Sequence, residues 1–250
     1  MTPGKPVETR PPELAGDRPA FPGQTRAPYH ATPAFRTTTI TDKLKSPWCL
    51  AFLPDGRMLV TEKPGTLRIV EANGTISRPL AGVPRVSYQG QAGLLDLALD
   101  RQFPSNHRLF LSFTEPAGAA DSHIAVARAE LDEAGRTLRN VKVIFRARPD
   151  LPKARTANQG GRIVVGPKGD IFVAIGDRST SPPWRRAQKL DNDLGKIVHI
   201  TAEGAPAAGN PFAGQRGALP EIWSLGHRTE EGLAYDPAGR LWETEHGPRG

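Results

Sequence analysis

The sequence contains a single cysteine among 250 residues, so no disulfide can form within the chain. Aromatic residues make up only 6% and are dispersed, which argues against a stacking surface for nucleic acid. There is no apolar run of about eighteen residues, and no membrane span is therefore expected. The one cysteine, Cys49, stands among apolar residues in SPWCLAF and is expected to be a buried, unreactive thiol.

The composition indicates a β protein with many tight turns, because glycine (26) and proline (25) are both abundant. The net charge of +7 comes from scattered lysines and arginines and is interpreted as a solvated basic surface. Residues 1–36 are polar and rich in proline and lack the apolar core of a secretory signal, which predicts a disordered leader. Residues 37–250 are predicted to form one large all-β domain.

One hairpin pattern occurs four times in this domain, as an apolar strand, a turn containing Pro or Gly, a second apolar strand and a polar strand end. The four copies are Leu50–Glu62, Leu97–Glu115, Arg162–Asp177 and Leu233–Gly247. Repetition at this spacing is typical of sheets arranged radially, so the predicted fold is an all-β propeller with about four blades. The sequence stops directly after the fourth hairpin, and a closed ring needs more blades, so we expect a truncated propeller.

Four polar residues stand at comparable positions of different blades, where a propeller brings chain segments together at its central channel. They are Gln91, Asn158, Arg228 and His246. Ordinary structural roles remain open for each of them, as turn hydrogen-bonders, a surface ion pair and a satisfied histidine. The sequence has no HxH, HExxH or CxxC spacing, no nucleophile elbow and no P-loop, which makes a zinc site or a phosphate-binding loop improbable.

Several long segments resemble, in order, the signature segments of the soluble aldose sugar dehydrogenases of the glucose/sorbosone dehydrogenase family. These segments are SPWCLAFLPDGRMLVTEKPGTLRIV, GQAGLLDLALDRQFPSNHRLFLSF, NQGGRIVVGPKGDIFVAIGDR, AQKLDNDLGKIVHI, NPFAGQRGALPEIWSLGHR and GLAYDPAGRLWETEHGPRG. The resemblance implies a six-bladed propeller that holds pyrroloquinoline quinone (PQQ) and calcium. It also implies oxidation of an aldose at the anomeric carbon to a lactone, a quinone or other electron acceptor, and a periplasmic location.

The resemblance assigns roles to particular residues. Gln91 matches the glutamine of the GQxGLL segment that binds the cofactor, and Arg228 matches an arginine that contacts both cofactor and substrate. His246 occupies a position beside the cofactor. Gly247 and Pro248 match residues whose main-chain carbonyls bind calcium, the hard cation that polarises the quinone edge.

Three departures from the family pattern weaken the prediction of activity. Asn158 occupies the position of the catalytic histidine base, and an amide has no useful pKa for accepting a proton. Thr229 occupies the position of a cofactor-binding asparagine, and Glu230 and Glu231 follow it where the family has Pro-Gln. Two carboxylates beside a tricarboxylate cofactor would repel it unless a cation intervenes. The last two blades, which supply cations for the cofactor in the family, are absent from the sequence.

Three functions are compatible with these residues. The first is a PQQ-dependent aldose dehydrogenase. The second is a non-catalytic or degenerate propeller fragment without a general base. The third is a calcium-dependent lactone hydrolase, for which Asn158, Glu231 and Glu245 are the available ligands.

Overall fold

In the part of the chain that the structure describes, the apolar residues of the hairpins form four antiparallel sheets. The computed structural model describes residues 1–11, 16, 18–19, 21–134, 136–179 and 183–247, without the side chains of residues 183 and 184. The chain divides into two compact units, Met1–Thr39 together with Gly247, and Ile40–His246. In the described part of the first unit, the only pairing between extended segments is an isolated bridge of Pro6 with Pro28.

The second unit contains all the named elements. The first sheet has the order β1-β2-β3, the second β4-β5-β6-β7 with β8 paired to β6, the third β12-β11-β10-β9, and the fourth β13-β14. The bounds are β1 Pro47–Phe52, β2 Met58–Glu62, β3 Thr66–Val70, β4 Leu94–Leu99, α1 Phe103–Asn106, β5 Arg108–Ala117, β6 Asp121–Asp132, β7 Thr137–Arg146, β8 Leu151–Pro152, β9 Gly160–Val165, β10 Ile171–Ile175, α2 Pro183–Ala187, β11 Lys196–Ile200, β12 Ile222–Leu225, β13 Glu230–Tyr235 and β14 Leu241–Glu245.

The four predicted hairpins are confirmed as β1-β2, β4-β5, β9-β10 and β13-β14. The second hairpin differs in its turn, where the segment FPSN forms the short helix α1 rather than a plain reverse turn. A proline early in this helix is compatible with it, because the first turn needs no N–H there. Among the described residues, neither helix is long and apolar enough to cross a membrane.

Strands β4, β5 and β6 of the second sheet are largely buried on both faces, which is what stacked blades require, whereas β7 is mostly exposed. Leu94, Leu109 and Leu111 belong to the apolar core shared with the first sheet. Leu95 and Phe110, their neighbours in sequence, belong to the core shared with the third sheet. This alternation follows from the two-residue period of a strand, which sends successive side chains to opposite faces.

Two glycines, Gly93 and Gly161, allow neighbouring sheets to approach closely. Gly93 has a φ of +148°, and a Cβ there would lie 2.3 Å from the carbonyl oxygen of Lys63 in the first sheet's turn. Gly161 has a φ of +100°, and a Cβ there would lie 2.6 Å from Cδ1 of Leu95 in the second sheet. Any larger residue at these positions would be both strained and obstructed.

A buried carboxylate lies in the loop before β11. Asp193 is 0% exposed and accepts a hydrogen bond at 2.7 Å from the main-chain N–H of Arg148. Burial, aided by the charge of Glu221, raises the pKa of Asp193 to about 7, although Arg148 opposes this shift. Lys196 is also buried, and burial lowers the pKa of its ammonium to about 8, although the negative charge of Asp193 opposes this shift.

We predict that Asp193→Asn flattens the dependence of stability on pH. The folded chain keeps the Asp193 proton up to about pH 7, whereas the unfolded chain releases it near the ordinary value of 3.8. Between these values the folded state binds more protons, so the free energy of unfolding falls as the pH rises. Urea unfolding at about pH 4 and about pH 7 measures this fall in the free energy of unfolding. The fall should be larger in the wild type than in Asp193→Asn, by up to about 4 kcal/mol.

The control for this measurement is Glu203→Gln, which removes an exposed carboxylate in another loop. It should keep the wild-type dependence on pH. If stability depends on pH in Asp193→Asn as it does in the wild type, the raised pKa of Asp193 is contradicted.

Candidate functional site

Three of the residues predicted to converge are joined by hydrogen bonds, although they are far apart in sequence. The main-chain N–H of Asn158 donates to Oε1 of Gln91 at 2.6 Å, and the side-chain amide of Asn158 donates to Oδ1 of Asp177 at 2.9 Å. The main-chain N–H of Asp177 in turn donates to the carbonyl of Arg228 at 2.8 Å. Segments from the second, third and fourth sheets therefore meet at one place.

The other predicted residues lie next to this chain of hydrogen bonds or cannot be placed. The guanidinium of Arg228 donates to Nδ1 of His246 at 2.9 Å and to its carbonyl at 3.0 Å. Thr229 is buried, and its carbonyl accepts from the main-chain N–H of His246 at 3.0 Å. Gly247 belongs to the other unit, and Pro248 lies outside the described residues.

A cavity of about 230 Å³ lies beside these segments. Its side chains come from Trp48, Lys63, Gln91, Gln159, Thr229 and Glu231. Asn158 is 6% exposed and does not line it; the following residues, Gln159 and Gly160, do. The cavity thus combines an ammonium, two amides, a hydroxyl and an indole with one carboxylate, which is a donor-rich wall suited to an anionic ligand.

Sequence reasoning missed Lys63, Trp48 and Gln159. Lys63 directly follows Glu62, the polar strand end of the first hairpin, and its Nζ donates to the carbonyl of Gly90. Gln159 accepts at 3.2 Å from the hydroxyl of Thr114 on β5, so it is held by the second sheet. Its place one residue beyond a repeated hairpin was a usable signal for Lys63.

Arg162 on β9 contacts all the other sheets around the cavity. Its guanidinium carbon lies 4.2 Å from the ring centroid of Trp48 on β1, and its Nε donates to the carbonyl of Glu231 on β13 at 2.6 Å. Its Nη1 lies 3.4 Å from Oδ1 of Asp96 on β4. One side chain therefore binds the walls of the cavity together.

Asp96 and Cys49 lie behind this arginine. Burial raises the pKa of Asp96 above its ordinary value, against hydrogen bonds from Cys49 and Ile163 and the charge of Arg162. Burial also raises the pKa of Cys49 to about 12, with a further contribution from Asp96. Cys49 is only half-buried rather than fully buried, yet it remains a thiol at neutral pH, which agrees with the expected lack of reactivity.

The chain is similar to known proteins in sequence and in fold. A family model described as Glucose / Sorbosone dehydrogenase matches residues 44–250. The chain belongs to this family. Aldose sugar dehydrogenase YliI of Escherichia coli (strain K12) is 41% identical over 214 residues, which cover 84% of this chain and 56% of that protein.

Two solved structures resemble the chain closely. The apo-form of the soluble aldose sugar dehydrogenase from Escherichia coli has a TM-score of 0.79 at 39% identity, covering 85% of this chain and 60% of that one. The PQQ-bound form of aldose sugar dehydrogenase from Streptomyces coelicolor has a TM-score of 0.70 at 34% identity, covering 84% and 59%. These likenesses confirm the predicted β-propeller class. The chain spans about half the length of the curated relatives that it matches.

We predict that Arg162→Gln lowers the free energy of unfolding by about 2–4 kcal/mol, because it leaves the buried carboxylate of Asp96 without its cation. The matched control is Arg240→Gln, because Arg240 also stacks on a tryptophan (Trp242) and pairs with an aspartate (Asp236). The side chain of Arg240 is 69% exposed against 29% for Arg162, so its loss should cost less than about 1 kcal/mol. Urea unfolding measures both, and equal losses would show that Arg162 has no special role.

Proposed function

We propose that this chain oxidises an aldose at the anomeric carbon to a lactone, with PQQ as its cofactor and calcium beside it. The observation that supports this most strongly is the hydrogen-bonded meeting of Gln91, Asn158 and Arg228 beside a cavity that contains Lys63. By the same family resemblance, we infer a quinone or other electron acceptor and a periplasmic location. A close structural relative is described as PQQ-bound.

The donors around the cavity suit PQQ, which is a tricarboxylate. Gln91 uses Oε1 to accept from Asn158, so the NH₂ end of the same amide is the end it can offer to a ligand. Lys63 supplies a positive charge in the wall, and Arg228, whose guanidinium contacts His246, precedes the wall residue Thr229 in the chain. Glu231 opposes the charge of Lys63, and a cation between Glu231 and the cofactor would reduce that repulsion.

The proposed calcium ligands are the main-chain carbonyls of Gly247 and Pro248. Carbonyl oxygens are ligands that calcium accepts readily. In the family pattern, residues at these two positions hold the ion.

When bound, PQQ supplies the acceptor for the hydride that leaves the sugar. The chain must then hold the sugar and take the proton of its anomeric hydroxyl. Asn158 cannot take that proton, and its amide instead donates to Asp177. We therefore expect slow turnover from the natural sequence.

We predict that Asn158→His raises the rate of dye reduction with glucose, in the presence of PQQ and Ca²⁺, by about 10²–10⁴-fold. Asp177 Oδ1, which now accepts from the Asn158 amide, would orient the introduced imidazole. The backbone tolerates the change, because Asn158 has a φ of 51° and histidine is among the residues found in that region.

The matched control is Asn140→His, which makes the same change at the same φ on the exposed strand β7. It should leave the rate unchanged. An unchanged rate in Asn158→His, with PQQ still bound by absorbance titration, would contradict the proposed geometry at this position.

A second candidate is a propeller that binds a ligand without turnover. The amide at the base position favours it. Saturable PQQ or sugar binding with no dye reduction in either the wild type or Asn158→His would support this function instead.

A further inference from the structure

Three carboxylates share one face of the β13-β14 hairpin. Glu230 pairs directly with Glu245 across the two strands, and Glu243 lies two residues before Glu245. Residues directly opposite each other, and residues two apart along a strand, project to the same side of a sheet. His227 lies against this face, with Nδ1 at 2.9 Å from Oε2 of Glu245 and at 3.9 Å from Oε1 of Glu243.

The spacing of these groups suits a single bound ion. One ligand atom from each of His227, Glu243 and Glu245 lies within 4.8 Å of the other two. Atoms bound to one cation at about 2.0–2.2 Å are separated by distances of this order or less. A small movement of the side chains would therefore bring all three into contact with an ion.

Glu230 gives this cluster its second and independent feature. Its side chain is 0% exposed, and neither carboxylate oxygen has a hydrogen-bond partner among the described residues. A buried carboxylate without a partner is strongly unfavourable. The ammonium of Lys196 attracts Glu230 through space but makes no hydrogen bond to it, because Lys196 Nζ donates to three main-chain carbonyls.

His227 is held in an orientation that a metal ligand needs. Its Nε2 lies 2.7 Å from the hydroxyl oxygen of Ser224 on β12, and its Nδ1 faces the carboxylates. A hydrogen bond on one ring nitrogen that orients the other toward the ion is the usual second contact of a metal-binding histidine.

We propose that His227, Glu243 and Glu245 bind one divalent transition-metal ion of the Zn²⁺ class, and that the carboxylate of Glu230, on the same face of the hairpin, moves to complete the ligand shell. Four ligands, one imidazole and three carboxylates, favour such an ion over calcium, which prefers six to eight oxygen ligands. The ion would neutralise the buried charge of Glu230 and link β13 and β14 to the loop after β12. This metal site shares no residue with the cavity beside Gln91, so the test of metal binding is independent of the proposed sugar oxidation.

The competing explanation is a proton in place of a metal. Burial raises the pKa of Glu230 to about 8, against the charge of His227, so a protonated carboxyl could also relieve the burial of charge. The two explanations differ in whether the chain binds a metal at all.

The test is a Zn²⁺ titration of the full 250-residue chain, without an affinity tag and after chelator treatment, followed by calorimetry. We expect one Zn²⁺ per chain, with binding weakened at least ~10-fold in Glu230→Gln and in Glu245→Gln. The matched controls are Glu231→Gln, at the next residue but in the cavity wall, and Glu203→Gln, in an exposed ion pair. Both controls should bind Zn²⁺ as the wild type does.

Several results would overturn the proposal. They are the absence of saturable Zn²⁺ binding, equal binding in Glu230→Gln and the controls, and equal preference for Ca²⁺. If the Glu230 and Glu245 variants fail to fold by circular dichroism, X-ray absorption of the Zn²⁺-loaded wild type decides the matter. One imidazole nitrogen with carboxylate oxygens at about 2.0 Å supports the site, and a shell without imidazole contradicts it.

Discussion

The guanidinium of Arg162 lies where strands of four sheets meet. It stacks on Trp48 of the first sheet, pairs with Asp96 of the second, and donates to the carbonyl of Glu231 in the fourth, while its own strand belongs to the third. Hairpins of a propeller are joined mainly by apolar packing, which has no preferred direction. Directional contacts of this kind set how one sheet is placed against the next, and they surround the cavity.

Smaller polar contacts repeat the same principle between pairs of sheets. The hydroxyl of Thr61 donates to the carbonyl of Leu95 at 2.7 Å, and the hydroxyl of Ser112 donates to the carbonyl of Gly161. Each bond crosses from one sheet to its neighbour and satisfies a group that burial would otherwise leave unpaired. The positions of Gln91 and Asn158 follow, because both lie immediately beside the strands that these bonds hold.

The sequence was sufficient for the hairpins and for the meeting of Gln91, Asn158 and Arg228, because both follow from repetition: equivalent positions of repeated sheets converge. It was insufficient for Arg162 and Glu230. An arginine in an amphipathic strand resembles a solvated residue, and Glu230 beside Glu231 resembles an exposed acidic pair. Glu230 and Glu231 differ only through the packing of the fourth sheet, which buries Glu230 and leaves Glu231 in the cavity wall. Tertiary burial of this kind has no local sequence signal.

If Arg162 couples the sheets around the cavity, its contribution to stability depends on Trp48, and a double-mutant cycle of the two residues measures this dependence. The cycle compares unfolding free energies of the wild type, Arg162→Gln, Trp48→Leu and the double variant. We expect a coupling energy of about 1 kcal/mol, since the arginine stacks on the indole across two sheets. Additive losses, with no coupling beyond the error of the measurement, would contradict it.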